Sequence, residues 1–301
     1  MITILGSEGY INQIDRLRSA FSELGLLSGL RDAEWIYCND PSAYDSALLE
    51  KQKRGDVKLI FNVLDYPPHL MNSKVYDLGR YTYFDHPFRR DFNVENLTDK
   101  LRRADVITVI CAEVKRQVRE YSNLDAKVIY NPIKPVDWKN VRGSIPFPKF
   151  LFVGRANDPN KRFWIASGVV KRLAEERQLA VVGTENPGFG IYLGQLTDEG
   201  LNYCMNLAKF LFLPSAFKSV GLPALEAVVA KCIPVVCDDD PCTAEFFPGL
   251  GLPPDPAVIA KHLSSDNWLN KASQFVEENS ELFKKRFSAS QIAKNILSLC
   301  R

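Results

Sequence analysis

Short apolar runs alternate along this chain with stretches whose apolar residues recur at helical spacing. Residues 2–5, 34–38, 58–64, 105–110 and 127–130 are nearly continuous in aliphatic and aromatic side chains. Between the first two, Ile11, Ile14, Leu17, Phe21 and Leu24 recur every three or four positions and predict a helix over 11–24. Further helices are predicted over 94–103 and between 110 and 127. Strands without polar alternation are buried on both faces, as in a parallel sheet covered by crossover helices. From 131 to 148 the texture breaks at Pro132, Pro135, Gly143, Pro146 and Pro148, as an interdomain connection would. The alternation then restarts. Strands are predicted over 150–153, 179–182, 209–213 and 233–237, and helices over 162–177 and 223–230. The tail over 267–300 is helical, with Ser288 and Gln291 as a capping box opening its last helix. The reading is α/β, with Rossmann-like domains over 1–140 and 141–285 and a terminal helix over 286–301.

Composition narrows the class. A chain of 301 residues accommodates two domains, and 46% hydrophobic with 25% charged residues is ordinary for a folded globular protein. A net charge of +2, near balance in both halves, excludes a broad basic nucleic-acid face. The opening Met-Ile-Thr-Ile-Leu-Gly has neither a basic start nor a long apolar stretch. It reads as a first strand rather than a signal peptide or transmembrane helix, and the expected location is cytoplasmic. The seven cysteines show no CxxC pair and read as reduced core thiols. Asp238-Asp-Asp240, between Cys237 and Cys242, reads as a solvated loop rather than a metal site.

Two blocks carry chemistry. In Phe152-Val-Gly-Arg-Ala-Asn-Asp-Pro-Asn-Lys-Arg162 a strand ends at Gly154, and a helix begins near Lys161. Arg155 and Lys161 therefore fall at the carboxyl end of a strand, where ligands of open α/β sheets sit and where two cations suit a diphosphate. In the second block, Pro214-Ser-Ala-Phe-Lys-Ser-Val-Gly-Leu-Pro-Ala-Leu-Glu-Ala-Val228, a strand runs through Gly221-Leu-Pro223 into a helix bearing Glu226. A helix start offers backbone N–H groups to phosphate, and a carboxylate one turn in can accept from vicinal hydroxyls.

These blocks resemble the signature of family 4 glycosyltransferases, which have the two-domain GT-B fold and take sugars from nucleotide donors. The likeness is strong over 149–247, moderate over 104–132 and weak before that. It implies two Rossmann-like domains with parallel sheets facing a central cleft, and a terminal helix that crosses back to the first domain. It also implies transfer with retention of anomeric configuration and without metal or other cofactor. Catalytic roles fall on Arg155, Lys161 and Asp65. Donor contacts fall on Gly9, Gly154, Arg155, Lys161, Gly183, Thr184, Lys218, Ser219, Val220, Gly221, Leu222 and Glu226, with Glu226 on the ribose.

The chain departs from the family pattern at several points. Arg162 and Cys232 stand where most members have Gly, Leu64 stands at a common His position, and Lys218 replaces the first of two paired glutamates. An ammonium group beside the sugar would favour a donor carrying its own anion. His69 and His86 are acceptor-side candidates in the first domain. The partner implied is a nucleotide diphosphate sugar, and the acceptor stays open among glycan, lipid carrier, protein and modified nucleic acid. Arg80, Arg89, Arg90, Arg102 and Arg103 could make peripheral membrane contact, but interleaved Asp85, Asp91, Glu95 and Asp99 read better as a solvated mixed-charge surface. The alternative is a catalytically inactive GT-B scaffold that binds nucleotide sugar or glycan.

Overall fold

The computed structural model describes residues 1–6, 11–64, 94–133, 146–216 and 221–301. They fall into two units: Met1–Pro135 with Arg286–Arg301, and Val136–Lys285. The first is built on five parallel strands, β1 (Ile2–Leu5), β2 (Trp35–Cys38), β3 (Lys58–Val63), β4 (Val106–Val109) and β5 (Lys127–Val128), hydrogen-bonded in that order. Helices α1 (Ile11–Glu23), α2 (Tyr44–Arg54), α3 (Val94–Arg102) and α4 (Ala112–Ser122) connect them. A parallel bridge from Ile2 to Leu27 pairs the other edge of β1, so β1 is flanked on both sides. The strands are buried almost throughout, the pattern of a sheet covered on both faces.

Polar groups cross this sheet as well. Asn62 of β3 and Thr108 of β4 are register partners, and the Thr108 hydroxyl donates to Asn62 Oδ1 at 3.0 Å. The Tyr44 hydroxyl donates to the Asn62 carbonyl at 2.6 Å while its ring stacks on Phe61 at 4.1 Å. Burial holds the Tyr37 and Tyr44 phenols well above the usual tyrosine range.

The second unit carries β6 (Phe150–Val153), β7 (Leu179–Val182), β8 (Ile191–Gly194), β9 (Phe210–Leu213) and β10 (Ile233–Val236), all parallel, in the order β10-β9-β6-β7-β8. Its helices are α5 (Phe163–Arg172), α6 (Asp198–Leu207), α7 (Leu222–Val229), α8 (Thr243–Phe246), α9 (Pro256–Leu263) and α10 (Asp266–Arg286). Phenylalanines fill the sheet core: Phe150 stacks on Phe210 and on Phe212, each at 5.4 Å, and Phe152 meets Phe163 edge-on at 5.0 Å. Pro234, which has no N–H to give a ladder, lies on the edge strand β10. The last helix, α11 (Ala289–Leu297), belongs to the first unit. Its Ala289, Ile292, Ala293 and Ile296 share one core with Ile14, Leu17 and Phe21 of α1. Ser288 caps it by accepting from the Gln291 N–H at 3.2 Å.

Three features differ from the sequence reading. The helix expected over 162–177 ends at Arg172, because Ala174 takes φ +54° and a 3₁₀ turn comes after it over Glu176–Gln178. Strand β8 is absent from that reading, since it is a half-exposed strand of four residues set among Gly188, Gly190 and Gly194. Helices α2, α6, α8 and α9 also escape it, and all four are only four to eleven residues long. Of these, α2 and α8 open without a side-chain cap, while α6 and α9 begin on Thr197 and Asp255.

Candidate functional site

Sheet order in the second unit singles out one place. From β6 the chain moves through α5 to β7 on one side, and later returns through α6 to β9 on the other. The strand order therefore reverses between β6 and β9, and the crevice at their carboxyl ends is where open α/β sheets bind ligands. Both sequence blocks end there.

The loop after β6 is tightly specified. Gly154 has φ +149°, which favours glycine, and a side chain there would sit 3.7 Å from the Lys161 stem. Gly183, after β7, is bound more strictly: a Cβ would lie 2.2 Å from the Gly154 carbonyl oxygen. Two backbones thus touch, with the Gly154 N–H donating to the Val182 carbonyl at 2.9 Å. The Tyr192 hydroxyl donates to the Gly183 carbonyl at 3.0 Å and fixes its direction.

Asp158 organises the rest of the loop. One of its oxygens caps the turn Pro159–Lys161 by accepting from the Asn160 N–H at 2.9 Å. The other holds the half-exposed Arg155 guanidinium at 2.9 Å. The Asn160 carbonyl in turn accepts from the Ala216 N–H at 2.9 Å, which ties this loop to the one after β9. On that side Gly221 precedes α7, Pro223 occupies its second position, and Glu226 is only 4% exposed. Gly154, Arg155, Lys161, Gly183, Gly221, Leu222 and Glu226 thus lie on elements around one switch point, and Thr184 comes after Gly183 in an exposed position. Gly9, Asp65, His69, His86, Lys218, Ser219 and Val220 lie outside the described residues.

The departures from the family pattern acquire physical reasons. Arg162 has φ +49° and ψ 44°, a left-handed conformation that suits glycine. Its side chain is buried against Asp239 in a two-pronged pair, Nη1 to Oδ1 at 2.9 Å and Nη2 to Oδ2 at 2.6 Å. Arg162 therefore turns toward the loop after β10. At the end of α7 the residue with glycine-like backbone is Lys231, φ +58°, whereas Cys232 is a buried core residue. Leu64 is buried as well.

The aspartate run is a correction. Asp238 and Asp239 are exposed, Asp239 while pairing with Arg162, but the fully buried Asp240 is no part of a solvated loop and accepts from the Cys242 N–H at 3.3 Å at the start of α8. Sequence reasoning also missed Asp158, Asn160, Tyr192 and the Arg162–Asp239 pair. Asp158-Pro159 was the available signal, since an acidic cap before a first-turn proline marks a helical start. All seven cysteines are free thiols, six of them buried. Among the described residues no helix is long and apolar enough to cross a membrane.

The sequence matches no protein-family model. Over 117 residues it is 35% identical to O-antigen chain mannosyltransferase B of Escherichia coli, a match covering 34% of this chain and 30% of that protein. The fold matches far more widely. Sucrose-phosphate synthase from Thermosynechococcus elongatus superimposes with a TM-score of 0.67 at 15% identity, over 94% of this chain and 75% of that one. The Anabaena protein HepE, solved with UDP and glucose, gives 0.67 at 14% identity over 99% and 98% of the two chains. The fold is GT-B. Two five-stranded parallel sheets, each with its own crossover helices, are the Rossmann-like halves of that architecture. The GT-B likeness extends over the whole chain, whereas the similarity in sequence is confined to about a third of it.

Proposed function

We propose that this chain is a glycosyltransferase that moves a sugar from a nucleotide diphosphate donor to an acceptor with retention of anomeric configuration. The observation that carries the reading is the bracket at the switch point, where Gly154, Arg155 and Lys161 after β6 are hydrogen-bonded through Asn160 to the loop after β9. The mannosyltransferase resemblance supports it, as does the GT-B fold of HepE, whose structure holds UDP and glucose.

In this reading Arg155 and Lys161 hold the diphosphate and neutralise the charge that grows as the bond from the anomeric carbon to the leaving oxygen breaks. Asp158 keeps the Arg155 guanidinium aimed before the donor arrives. Glu226 takes the ribose hydroxyls, while the backbone around Gly221 and Leu222, with Lys218, Ser219 and Val220 before it, meets the sugar and the outer phosphate. The departing phosphate oxygen accepts the acceptor's proton as the new bond forms on the same face, so no protein base is needed where Leu64 replaces a histidine. Asp65, His69, His86 and Gly9 are assigned to the acceptor side and the mouth of the donor site. The two cations supply the neutralisation that a divalent ion gives other transferases, and the reaction runs without metal.

The likeness to an O-antigen chain mannosyltransferase makes a hexose donor and a glycan acceptor the first to try. The test is incubation with a panel of nucleotide sugars and glycan acceptors in excess EDTA, following nucleotide diphosphate release and the anomeric configuration of the product by NMR. Transfer with retention, undiminished by chelator, is the expected result. Inverted product overturns retention, and EDTA-sensitive turnover restored by manganese overturns metal independence. Leu64 and Lys218 together, the two departures at positions the family uses, raise one rival, a scaffold that binds without transfer. Nucleotide binding with no turnover across the whole panel would establish it.

A further inference from the structure

We propose that Arg162 and Asp239 are positioning residues for the donor's diphosphate, holding Lys161 in place at the switch point. This rests on the donor reading of that site. Lys161 lies between two anchors. On one side the Asn160 carbonyl accepts from the Ala216 N–H at 2.9 Å, in the loop after β9. On the other the Arg162 guanidinium forks onto Asp239, in the loop after β10, at 2.9 and 2.6 Å. Residues 160–162 therefore tie the end of β6 to the ends of β9, its neighbour, and β10, the next strand out.

The backbone between the anchors is closely determined. The Lys161 N–H donates to the Asp158 carbonyl at 2.9 Å, and the Arg162 N–H to the Pro159 carbonyl at 3.1 Å. At Arg162 the chain turns, through φ +49° and ψ 44°, out of the Pro159–Lys161 turn and into α5. Its carbonyl there accepts from the Ile165 N–H at 2.8 Å. A residue with a side chain takes up this conformation at a cost, and keeps it where its surroundings over-determine it. Asp239 supplies that determination, because a fork of two parallel bonds fixes the direction of both groups. From this point the Lys161 stem runs back over Gly154, with Cγ and Cδ each 3.7 Å from where a side chain there would begin. Rotation of the backbone at Arg162 would carry the ammonium group away from the end of β6.

Burial shows what the pair contributes. The Arg162 side chain is 7% exposed and that of Asp239 34%. Burying a charge costs a desolvation that its partner only about repays, so such a pair adds little net stability. Its gain is geometric: a defined position for the cation next to it in the chain.

The test is calorimetric titration of the intact protein with UDP, GDP, ADP and dTDP. Whichever binds most tightly is the probe for Lys161→Ala, Arg162→Gly, Asp239→Asn and the double variant Lys161→Ala/Arg162→Gly. Glycine takes φ +49° freely, so Arg162→Gly removes the anchor and spares the turn, and its urea midpoint checks that it folds. Should it not fold, Asp239→Asn takes its place in the same cycle. Each anchor variant should weaken the probe about fivefold, and Lys161→Ala about tenfold. The double variant should bind no more weakly than Lys161→Ala alone, because the anchor acts through that ammonium group. A double variant weakened by the product of the two single losses overturns the inference. So does an affinity within about twofold of wild type for both anchor variants. In either case weakened binding by Lys161→Ala leaves the donor site standing. Failure of the wild type to bind any of the four nucleotides removes the donor reading and this inference with it.

Discussion

The two sheets of this protein share a parallel architecture but place their polar groups differently. In the first unit, polar side chains sit inside the strands, where Thr108 reaches Asn62 across the β3–β4 ladder and Tyr44 bonds the Asn62 backbone. In the second, the matching depth of the central strands is filled by Phe150, Phe152, Phe210 and Phe212, and the side-chain ties of Arg155 and Arg162 lie past the strand ends. Buried polar pairs within a sheet specify register, because a slip leaves each partner unsatisfied. Polar ties confined to loops specify the shape of a surface instead. Removing polar groups should therefore damage stability in the first unit and ligand binding in the second.

The severest challenge to that contrast is Gly183→Ala, which removes no polar group. A methyl 2.2 Å from the Gly154 carbonyl must push two backbones apart. Overpacking of this kind costs about 3 kcal/mol, and urea unfolding should show it. Nucleotide affinity should fall as well, since the loop bearing Arg155 moves. A variant that keeps both stability and affinity would show that the contact is not needed.

Alkaline pH probes the first unit. Tyr37 and Tyr44 have folded pKa values raised by burial, while the unfolded chain ionises them near the ordinary value of about 10. Their contribution to stability is therefore complete below pH 10 and is lost as pH rises from there toward the higher folded values. Each phenol costs about 1.4 kcal/mol per pH unit in that window. Hydrogen exchange at pH 10.5 should show β2–β4 opening before β6 and β9. The reverse order would break the comparison.

Asn62→Ala should cost about 1–3 kcal/mol by stranding the Thr108 hydroxyl and the Asn39 carbonyl, the Tyr44 bond to the residue 62 backbone surviving, while nucleotide diphosphate affinity stays unchanged. Coupled loss of affinity would mean that the first unit shapes the donor site. Arg155→Ala is the mirror case and the smallest effect on stability. Its pair with Asp158 is half-exposed, so unfolding should shift by less than about 0.5 kcal/mol. Nucleotide diphosphate binding should nonetheless weaken about tenfold, read by calorimetry.

The same contrast explains what could be read from the chain. Apolar strands announce themselves, so nine of the ten strands among the described residues fall within sequence-expected runs, and the short edge strand β8 does not. The Gly154 to Lys161 block was legible because a strand end, a polar loop and a helix start leave a compositional trace. The conformation of Arg162 was not, since nothing in an arginine signals φ +49° until Asp239, 77 positions away, is found beneath it. Nor could the aspartate run be apportioned among solvent, ion pair and buried turn without the partners that divide it. Local pattern fixes elements; side chains whose partners lie far along the chain are settled only by packing.

The place of α11 bears on how the protein is made. The residues that complete the first unit's core, Ile292 and Ile296 among them, are translated after the whole of the second unit. The second unit is a single continuous stretch and can close during synthesis. The unit translated first must instead wait, with Ile14, Leu17 and Phe21 of α1 uncovered, until α11 has followed. A chain truncated after residue 286 should therefore present a protease-resistant second unit behind an N-terminal half still open to chaperones.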